Sequence, residues 1–332
     1  MAENTLTLYS DITPREVKWI WYPYIPAGKI TILQGDPGDG KSTMMMHLIA
    51  EISKGGNLPD GREIGRPHRV IYQCSEDGVR DTIRPRLERC GADLSNIAFI
   101  DEEVHTGLTL DDERIREAIV QFRPWLVVMD PIQSYVENVS DLIMATNARR
   151  LMKRISLWAS AYGCAIILVG HLNKNERSKG LYRGLGSIDV AAAARSILHI
   201  ERIGDERIVR QIKNNLAPAG KDFGFLITRD TGFQWIETGI NDDPDDDELM
   251  DGLRDIPHNK HELTAMLLMD LLDEGEASAS DVKDLIAQYC IGDKTLQEVK
   301  SFLGIKSIRR NGKWYWQAPG SPGKGEKRWK KS

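Results

Sequence analysis

A glycine-rich stretch followed by a cation and two hydroxyls occupies residues 32–43, which read ILQGDPGDGKST. It fits the pattern G-x-x-x-x-G-K-[ST]. In this pattern the backbone N–H groups turn inward around a chain of phosphates, the lysine reaches the terminal phosphates, and the next hydroxyl is a ligand of Mg²⁺. We therefore predict a site for ATP and Mg²⁺ formed by Gly35, Asp36, Pro37, Gly38, Asp39, Gly40, Lys41, Ser42 and Thr43.

The segments on either side of this loop have the composition needed to position it. KITILQG before the loop is short, apolar and β-branched, which predicts a strand. STMMMHLIAEISKG after the loop predicts a helix with an apolar face, whose N-terminal dipole points toward the phosphates. A glycine-rich turn that fits the pattern by accident is the alternative, and it explains neither flank.

A carboxylate for Mg²⁺ is predicted at the end of a second apolar run, WLVVMD, whose last residue is Asp130. An acid at the carboxyl end of a buried strand, beside a phosphate-binding loop, suits the binding of this ion. Ser42 and Asp130 are thus the candidate metal ligands. A strand that simply ends in aspartate is the alternative.

The base that orients the attacking water must come from elsewhere, because Pro131 follows Asp130. VIYQCSEDG ends a predicted strand in Glu76 and Asp77, 35 residues after Lys41. If this strand lies beside the strand before the loop, Glu76 is near the γ-phosphate and orients the water, with Asp77 as the reserve. Alternatively, the pair caps the helix that starts at Gly78.

A third apolar run, CAIILVGHLNK, reaches His171. A histidine after apolar residues is often a core group with its hydrogen bonds satisfied. Its position at the carboxyl end of a strand, in line with the other two sites, favours instead a sensor of the γ-phosphate. We expect His171 to couple the nucleotide state to the loop that follows.

Composition describes an ordinary soluble protein of 332 residues, 41% hydrophobic and 28% charged. Its length suits one large domain and one small one. The longest apolar runs are too short to span a bilayer, and from the polar N-terminus we expect no export signal. We expect a reducing cytoplasm and no structural metal, because C-x-x-C pairs and neighbouring histidines are missing around Cys74, Cys90, Cys164 and Cys290.

Pattern and composition divide the chain into an N-terminal segment (1–27), a nucleotide-binding domain (28–240), an acidic linker (241–256), a small domain (257–318) and a basic tail (319–332). Strands and helices alternate in the large domain, which predicts an α/β fold with a mostly parallel sheet and antiparallel hairpins at its end. The predicted strands are 29–34, 70–74, 97–100, 125–130, 164–170, 196–202, 207–212 and 223–228. The predicted helices are 42–54, 78–90, 111–122, 143–162 and 188–195.

The small domain reads as a winged helix. Helices are predicted at 261–273, 280–289 and 293–303, and a hairpin about Asn311-Gly312 follows them. The segment from Leu303 to Ser332 has a net charge of +8. Because the net charge of the whole chain is −5, residues 1–302 have a net charge of −13. This basic end favours DNA over a protein-docking role, the alternative. The candidate contacts are Lys294, Thr295, Gln297, Lys300, Lys306, Arg309, Arg310 and Lys313.

Six segments together resemble the RecA-like ATPases, most closely the branch around the plasmid replicative helicase RepA, with DnaB-type helicases and KaiC-like proteins as near relatives. The resemblance covers about residues 20–230. It rests on GDPGDGKST, CSEDG, VVMDP, ILVGHLNK, RGLGSIDVAAAARSILHIER and QIKNN.

The resemblance implies a ring, usually hexameric, with ATP between neighbouring subunits. It assigns Arg195 as the arginine supplied to the neighbour's phosphates and Lys213 as a second positive group, since a planar guanidinium stabilises charge on the transferring phosphoryl group. A salt bridge at a helix end is the alternative for Arg195. DnaB-type members have Lys-x-Arg where this chain has Lys213-Asn214-Asn215, so the second cation of that motif is missing.

The loops after the strands that end at Asp130 and His171 face the central channel in RecA-like rings. The second loop, LNKNERSKGLYRGLGS, has cations that suit the backbone of single-stranded DNA, and a solvated surface loop is the alternative. These cations are Lys174, Arg177, Lys179 and Arg183.

Three functions fit these features. The first is a ring-forming DNA helicase or translocase of phage, prophage or plasmid replication. The second is an ATP-gated DNA-binding protein, such as an initiator, recombination mediator or regulator, that does not unwind DNA. A small-molecule kinase is the third and fits least, because no segment reads as a lid or acceptor pocket.

Overall fold

A nine-stranded sheet organises the large domain in a computed structural model of the chain. The structure describes residues 6–104, 106–136, 142, 145–171, 188–228, 232–236, 260–272, 276–288, 291–310 and 312–319. Within these ranges, no helix combines the length and apolar character required to cross a membrane.

The sheet has the order β11-β10-β9-β8-β3-β7-β6-β4-β5, and β1 and β2 form a separate hairpin. The strands from β8 to β5 in this order are parallel, and β9, β10 and β11 extend the sheet antiparallel. The predicted α/β fold with a mostly parallel sheet is confirmed. The strands are β1 (Trp19–Trp21), β2 (Ile25–Pro26), β3 (Ile30–Gly35), β4 (Val70–Cys74), β5 (Ile97–Ala98), β6 (Leu126–Asp130), β7 (Ala165–His171), β8 (Ser196–Ile203), β9 (Glu206–Asn214), β10 (Phe223–Thr228) and β11 (Gly232–Ile236).

The position of β4 differs from the condition on which the role of Glu76 was argued. That condition placed β4 beside β3, but β7 and β6 lie between them, and β4 pairs with β6 so that Cys74 is opposite Asp130. Buried parallel strands all read as apolar runs, so their composition does not order them in the sheet. Strand β5 is also shorter than expected, because the side-chain amide of Gln73 takes up the backbone of Ile100. Its Nε2 donates to the carbonyl oxygen of Ile100, and its Oε1 accepts from the N–H of Ile100.

The helices between these strands are α1 (Lys41–Lys54), α2 (Arg84–Arg89), α3 (Glu113–Phe122), α4 (Ala145–Tyr162) and α5 (Ile188–Ala193). The helix predicted at 78–90 is divided into a π-helical turn, Val79–Ile83, and α2. Pro85 lies at the start of α2 and offers no N–H to the preceding turn.

Helices cover both faces of the sheet, and the strands alternate between two hydrophobic clusters. On β6, Val127 and Met129 belong to the cluster that includes α3 and α4, whereas Leu126 and Val128 face the side covered by α1. Because the central strands are buried on both faces, the positions of their carboxyl ends relative to one another are fixed.

The small domain consists of α6 (Lys260–Leu272), β12 (Glu276–Ser278), α7 (Ala279–Gln288), α8 (Asp293–Phe302), β13 (Lys306–Arg310) and β14 (Lys313–Gln317). Its antiparallel sheet has the order β12-β14-β13 around a core that contains Trp316. The three helices and the final hairpin agree with the predicted elements. The sequence did not indicate β12, which is three residues long and pairs Ala277 with Trp316.

Candidate active site

The glycine-rich loop joins the end of β3 directly to the start of α1. Gly40 has φ +88°, a left-handed conformation that favours glycine, and a Cβ there would lie 3.0 Å from Ile227. A Cβ on Gly35 would lie 2.7 Å from the carbonyl oxygen of Ile200. The loop therefore packs closely on β8 and β10, and glycine is required at both of its ends.

Lys41 is the first residue of α1 and is only 4% exposed. Its Nζ donates hydrogen bonds of 2.7 Å to the carbonyl oxygens of Gly35 and Asp36. Burial lowers the pKa of Lys41, and the negative charges of nearby carboxylates oppose that shift: Asp39, Asp130, Asp36 and Glu76. The ammonium group thus interacts with acids from three separate segments of the chain.

Asp130 ends β6 and is 2% exposed. The hydroxyl of Tyr72 donates a hydrogen bond of 3.1 Å to its Oδ2. Burial, followed by the charge of Asp130, raises the pKa of Tyr72 well above its ordinary value, so the phenol remains protonated and donates. Sequence reasoning missed Tyr72, although a tyrosine inside the otherwise apolar run VIY is a signal for a buried hydrogen bond.

Glu76 follows β4 at the same edge of the sheet as Lys41 and Asp130. The backbone N–H of Ser75 donates to the carbonyl oxygen of Asp130 at 3.3 Å, which joins the turn after β4 to the end of β6. Among the four carboxylates whose negative charge raises the pKa of Lys41, Glu76 contributes least, and it does so although β4 is not the neighbour of β3.

Asp77 forms an ion pair with α2. Its Oδ2 accepts a hydrogen bond of 2.7 Å from Nη1 of Arg86 on α2. The N-cap position of the π-helical turn is Gly78, and no side chain caps it. The ion pair to α2 favours Glu76 over Asp77 as the base, and the capping alternative for the pair has no support in this geometry.

Asp39 turns back into the loop, a second feature that sequence reasoning did not predict. Its Oδ2 accepts a hydrogen bond of 2.6 Å from the backbone N–H of Asp36. Burial raises the pKa of Asp39, and Lys41 and His199 act against this rise. One of the inward N–H groups on which phosphate binding depends is therefore bonded to a carboxylate.

Two of the remaining predicted residues lie at opposite ends of the sheet. His171 is the last residue of β7 and is in register with Gly35. Its backbone therefore lies at the carboxyl edge of the sheet, level with the start of the glycine-rich loop. The backbone N–H of Arg195 donates to the carbonyl oxygen of Ile30, at the other end of β3. The six residues of β3 separate these ends by about 17 Å.

Lys213 lies near Arg195 rather than near the loop. Its Nζ donates to the carbonyl oxygens of Ala191 and Ala192 at the end of α5, at 2.8 and 3.3 Å. Burial, with a smaller contribution from the charge of Arg195, lowers the pKa of Lys213 to about 8. Arg195 is exposed and makes no ion pair within the described part of the chain. Neither cation approaches the glycine-rich loop of the same chain.

The predicted DNA contacts fall into two groups. Lys174, Arg177, Lys179 and Arg183 lie outside the described residues. In the small domain, Lys294, Arg309 and Lys313 are exposed.

Two other cations of the small domain have internal partners. Lys300 donates to Oγ of Ser307 at 2.6 Å and lies 4.0 Å from the ring centre of Trp316. Arg310 donates to Oε1 of Glu276 at 3.0 Å. These contacts compete with phosphate for both cations.

The donor set of Ser42 and Asp130 fits Mg²⁺, because this ion is usually held by one or two carboxylates together with water and substrate phosphates. Ser42 is half-buried on the first turn of α1, and Asp130 supplies a buried carboxylate. No cluster of three or more His, Cys, Asp or Glu side chains suited to a metal occurs in the described ranges, so an all-protein cage is not seen there.

A family model described as an AAA domain matches residues 3–177 of the 332-residue chain. The DNA repair protein RadA of Mycobacterium tuberculosis (strain ATCC 25618 / H37Rv) is 28% identical over 218 residues, covering 64% of this chain and 40% of that protein. RadA of Bacillus subtilis (strain 168) is 26% identical over 209 residues, covering 62% and 40%.

The chain thus spans less than half the length of these two relatives. Among solved structures, the KaiC-like protein PH0186 of Pyrococcus horikoshii OT3 is similar with a TM-score of 0.45 and 19% identity, covering 64% of this chain and 91% of that one. The two RadA relatives carry the name of DNA repair proteins, and they do not single out the replicative helicase branch.

Proposed function

The chain belongs to the AAA domain family of P-loop ATPases, and from this premise we propose that it hydrolyses ATP with Mg²⁺ and couples hydrolysis to DNA. The observation that carries the proposal is the convergence of Lys41, Asp130 and Glu76. Three segments far apart in sequence bring one cation and two acids together at the carboxyl edge of the sheet.

Each residue has a role in this proposal. Lys41 and the backbone N–H groups of the loop bind the phosphates, and Ser42 and Asp130 hold Mg²⁺, which supplies positive charge to the phosphoryl oxygens. Tyr72 orients the carboxylate of Asp130. Glu76 orients the attacking water and accepts its proton.

Arg195 and Lys213 complete the site in trans. They lie at the end of the sheet away from their own loop, so they contact phosphate only if a second copy presents its loop to them. This arrangement supports a homo-oligomer, proposed here as a ring and by resemblance a hexamer. His171 is proposed as the sensor that follows the γ-phosphate.

We propose that the small domain is a winged helix that binds duplex DNA. The element order α6-β12-α7-α8-β13-β14 and the exposed cations on α8 and the final hairpin support this role. Single-stranded DNA is proposed to bind the basic loop that contains Lys174, Arg177, Lys179 and Arg183.

The leading function is a DNA helicase or translocase of the RepA-like type, acting in phage, prophage or plasmid replication. A second candidate, an ATP-gated DNA-binding protein that does not unwind DNA, is favoured by the repair proteins among the relatives. Both candidates need the same ATP site, so the site alone does not separate them.

A forked DNA duplex with ATP distinguishes the two candidates, with Lys41→Ala as the control. Strand displacement that the control loses supports the helicase. ATP hydrolysis that DNA stimulates without displacement supports the gated DNA-binding protein. Failure of the wild-type chain to bind or hydrolyse ATP contradicts both.

A further inference from the structure

The final hairpin of the small domain carries an exposed tryptophan. Trp314 keeps 53% of its surface exposed, whereas Trp316, two residues later on the same face of β14, is 6% exposed and belongs to the core. The core therefore accounts for Trp316 and leaves the exposed ring of Trp314 without a packing role. One exposed ring is not in itself a site, so the inference depends on the charges and contacts around it.

The hairpin around Trp314 is strongly basic. Residues 306–317 contain four cations and no acid. Three of these cations, Lys306, Arg309 and Lys313, are exposed. Their charge is complementary to the phosphates of a nucleic acid. Exposed cations beside an aromatic ring are the combination that binds single strands, because the cations follow the backbone while the ring stacks on a base.

The contact between Arg309 and Trp314 limits how the ring can stack. The two residues are directly opposite each other in the register of β13 and β14, and Cζ of Arg309 lies over the ring, 5.9 Å from its centre. A guanidinium within about 6 Å is attracted to the face of an indole. With Arg309 on one face, the ring can stack on a single base, whereas insertion between two bases would need both faces.

The same face of the hairpin is joined to α8. Lys300 on α8 donates to Oγ of Ser307 at 2.6 Å and lies 4.0 Å from the ring centre of Trp316. Ser307 is opposite Trp316, as Arg309 is opposite Trp314. Trp314 is thus about 7 Å from Trp316 along β14, toward the turn of the hairpin. The exposed ring therefore lies close to the helix that is proposed to enter the groove of a duplex.

We propose that the small domain binds a junction between double-stranded and single-stranded DNA, with the duplex on α8 and Trp314 stacked on the first unpaired base. Within a continuous duplex, neighbouring bases cover both faces of each base, and exposing a face costs free energy. At a junction, the first unpaired base offers a face without that cost. The inference rests on the proposed binding of DNA by this domain and specifies the form of DNA that it prefers.

The test measures binding of the full chain by fluorescence anisotropy, without ATP, to three DNAs. The first is a fork with unpaired arms of about three nucleotides, shorter than a usual single-strand site, which limits the contribution of the basic loop of the large domain. The second is the same fork with abasic arms, which has the same charge and lacks the unpaired bases. The third is a duplex whose ends are closed by non-nucleotide linkers.

The variants separate stacking from charge. Trp314→Ala removes the ring, and Trp314→Phe keeps a ring that can stack. Lys313→Ala is the matched control, because it removes an exposed cation from the adjacent position. Circular dichroism of each variant confirms that it is folded, and the exposure of Trp314 means that its truncation opens no cavity in the core.

We expect wild type to bind the intact fork about tenfold more tightly than the abasic fork or the closed duplex. Trp314→Ala should lose this preference while its dependence on salt stays the same, and Trp314→Phe should keep most of it. Lys313→Ala should keep the preference, bind all three DNAs more weakly, and reduce the slope of log affinity against log salt by about 1.

Two results overturn the inference and leave duplex binding intact. One is equal binding of the three DNAs by wild type, and the other is a preference for the intact fork that survives in Trp314→Ala. Absence of binding to all three DNAs has a different meaning, because it removes the proposed DNA-binding role of the small domain together with the inference. That result would favour a surface for docking another protein.

Discussion

The hydroxyl of Tyr72 donates to the carboxylate of Asp130 at 3.1 Å, and both side chains are buried. The pairing of β4 with β6 produces this contact, because it places Cys74 opposite Asp130 and Tyr72 one pleat earlier on the same face. A phenol held protonated in a buried site fixes the orientation of the acid that is proposed to hold Mg²⁺.

Tyr72→Phe should lower kcat for ATP about tenfold and raise the Mg²⁺ concentration needed for half-maximal activity. A hydrogen bond to a charged group contributes about 1.5–3 kcal/mol, and about 1.4 kcal/mol corresponds to a factor of ten. Steady-state hydrolysis over a Mg²⁺ titration measures both effects. Tyr24→Phe is the control, since its hydroxyl bonds the carbonyl of Lys221. A wild-type Mg²⁺ profile for Tyr72→Phe would refute the positioning role.

The elements of the fold were predictable because local signals mark them. Apolar β-branched runs bounded by glycine or acid predicted the main strands, and the loop residues from Gly35 to Ser42 predicted the turn between β3 and α1. The order of the strands was not predictable, since it depends on packing between distant segments. Strand β12 was missed because three residues are too few for a periodic signal.

The residues of the site were predictable where they end a strand, as Asp130 does, or follow one closely, as Glu76 does. The hydrogen bond of Tyr72 was not, because it depends on β4 lying beside β6 rather than beside β3. The inward turn of Asp39 was missed for another reason. The pattern permits any residue at that position and so carries no signal for the conformation of its side chain.

Asp39→Asn should tighten ATP binding about tenfold near neutral pH, because it removes a negative charge beside the phosphates. Burial already raises the pKa of Asp39, and a bound phosphate chain raises it further. Binding then takes up a proton, so wild-type affinity should increase as pH falls between the pKa values of the free and bound states.

Calorimetry at several pH values measures this effect as the difference between wild type and Asp39→Asn. The charges of Lys41 and His199, which also act on Asp39, are common to both proteins. Equal affinities at every pH would show that the carboxylate does not oppose the phosphates.

Arg195→Ala should bind ATP normally but lose turnover, because its proposed target is the site of another copy. Mixed with Glu76→Gln in equal amounts, it should regain activity. About a quarter of the interfaces in the mixture then combine an intact Glu76 with an intact Arg195, by random assortment in a head-to-tail assembly. A mixture no more active than its components would contradict a role in trans.

Arg309→Ala/Lys313→Ala should weaken duplex binding and reduce the slope of log affinity against log salt by about 2, because each removed cation leaves one phosphate without its neutralising charge. Arg310→Ala is the matched control, since its side chain bonds Glu276. It should change the slope little while lowering the melting temperature. Fluorescence anisotropy at several salt concentrations gives the slopes, and equal slopes for all three proteins would argue against DNA binding by this hairpin.

The central claim is that Lys41, Asp130 and Glu76 act on one Mg²⁺-bound ATP. The most direct measurement compares ATP binding with single-turnover hydrolysis in Glu76→Gln, using Asp77→Asn, whose wild-type carboxylate pairs with Arg86, as the control. We predict unchanged binding, hydrolysis slower by about 10²–10⁴-fold in Glu76→Gln, and near-normal hydrolysis in Asp77→Asn. Hydrolysis by Glu76→Gln at the wild-type rate would contradict the claim.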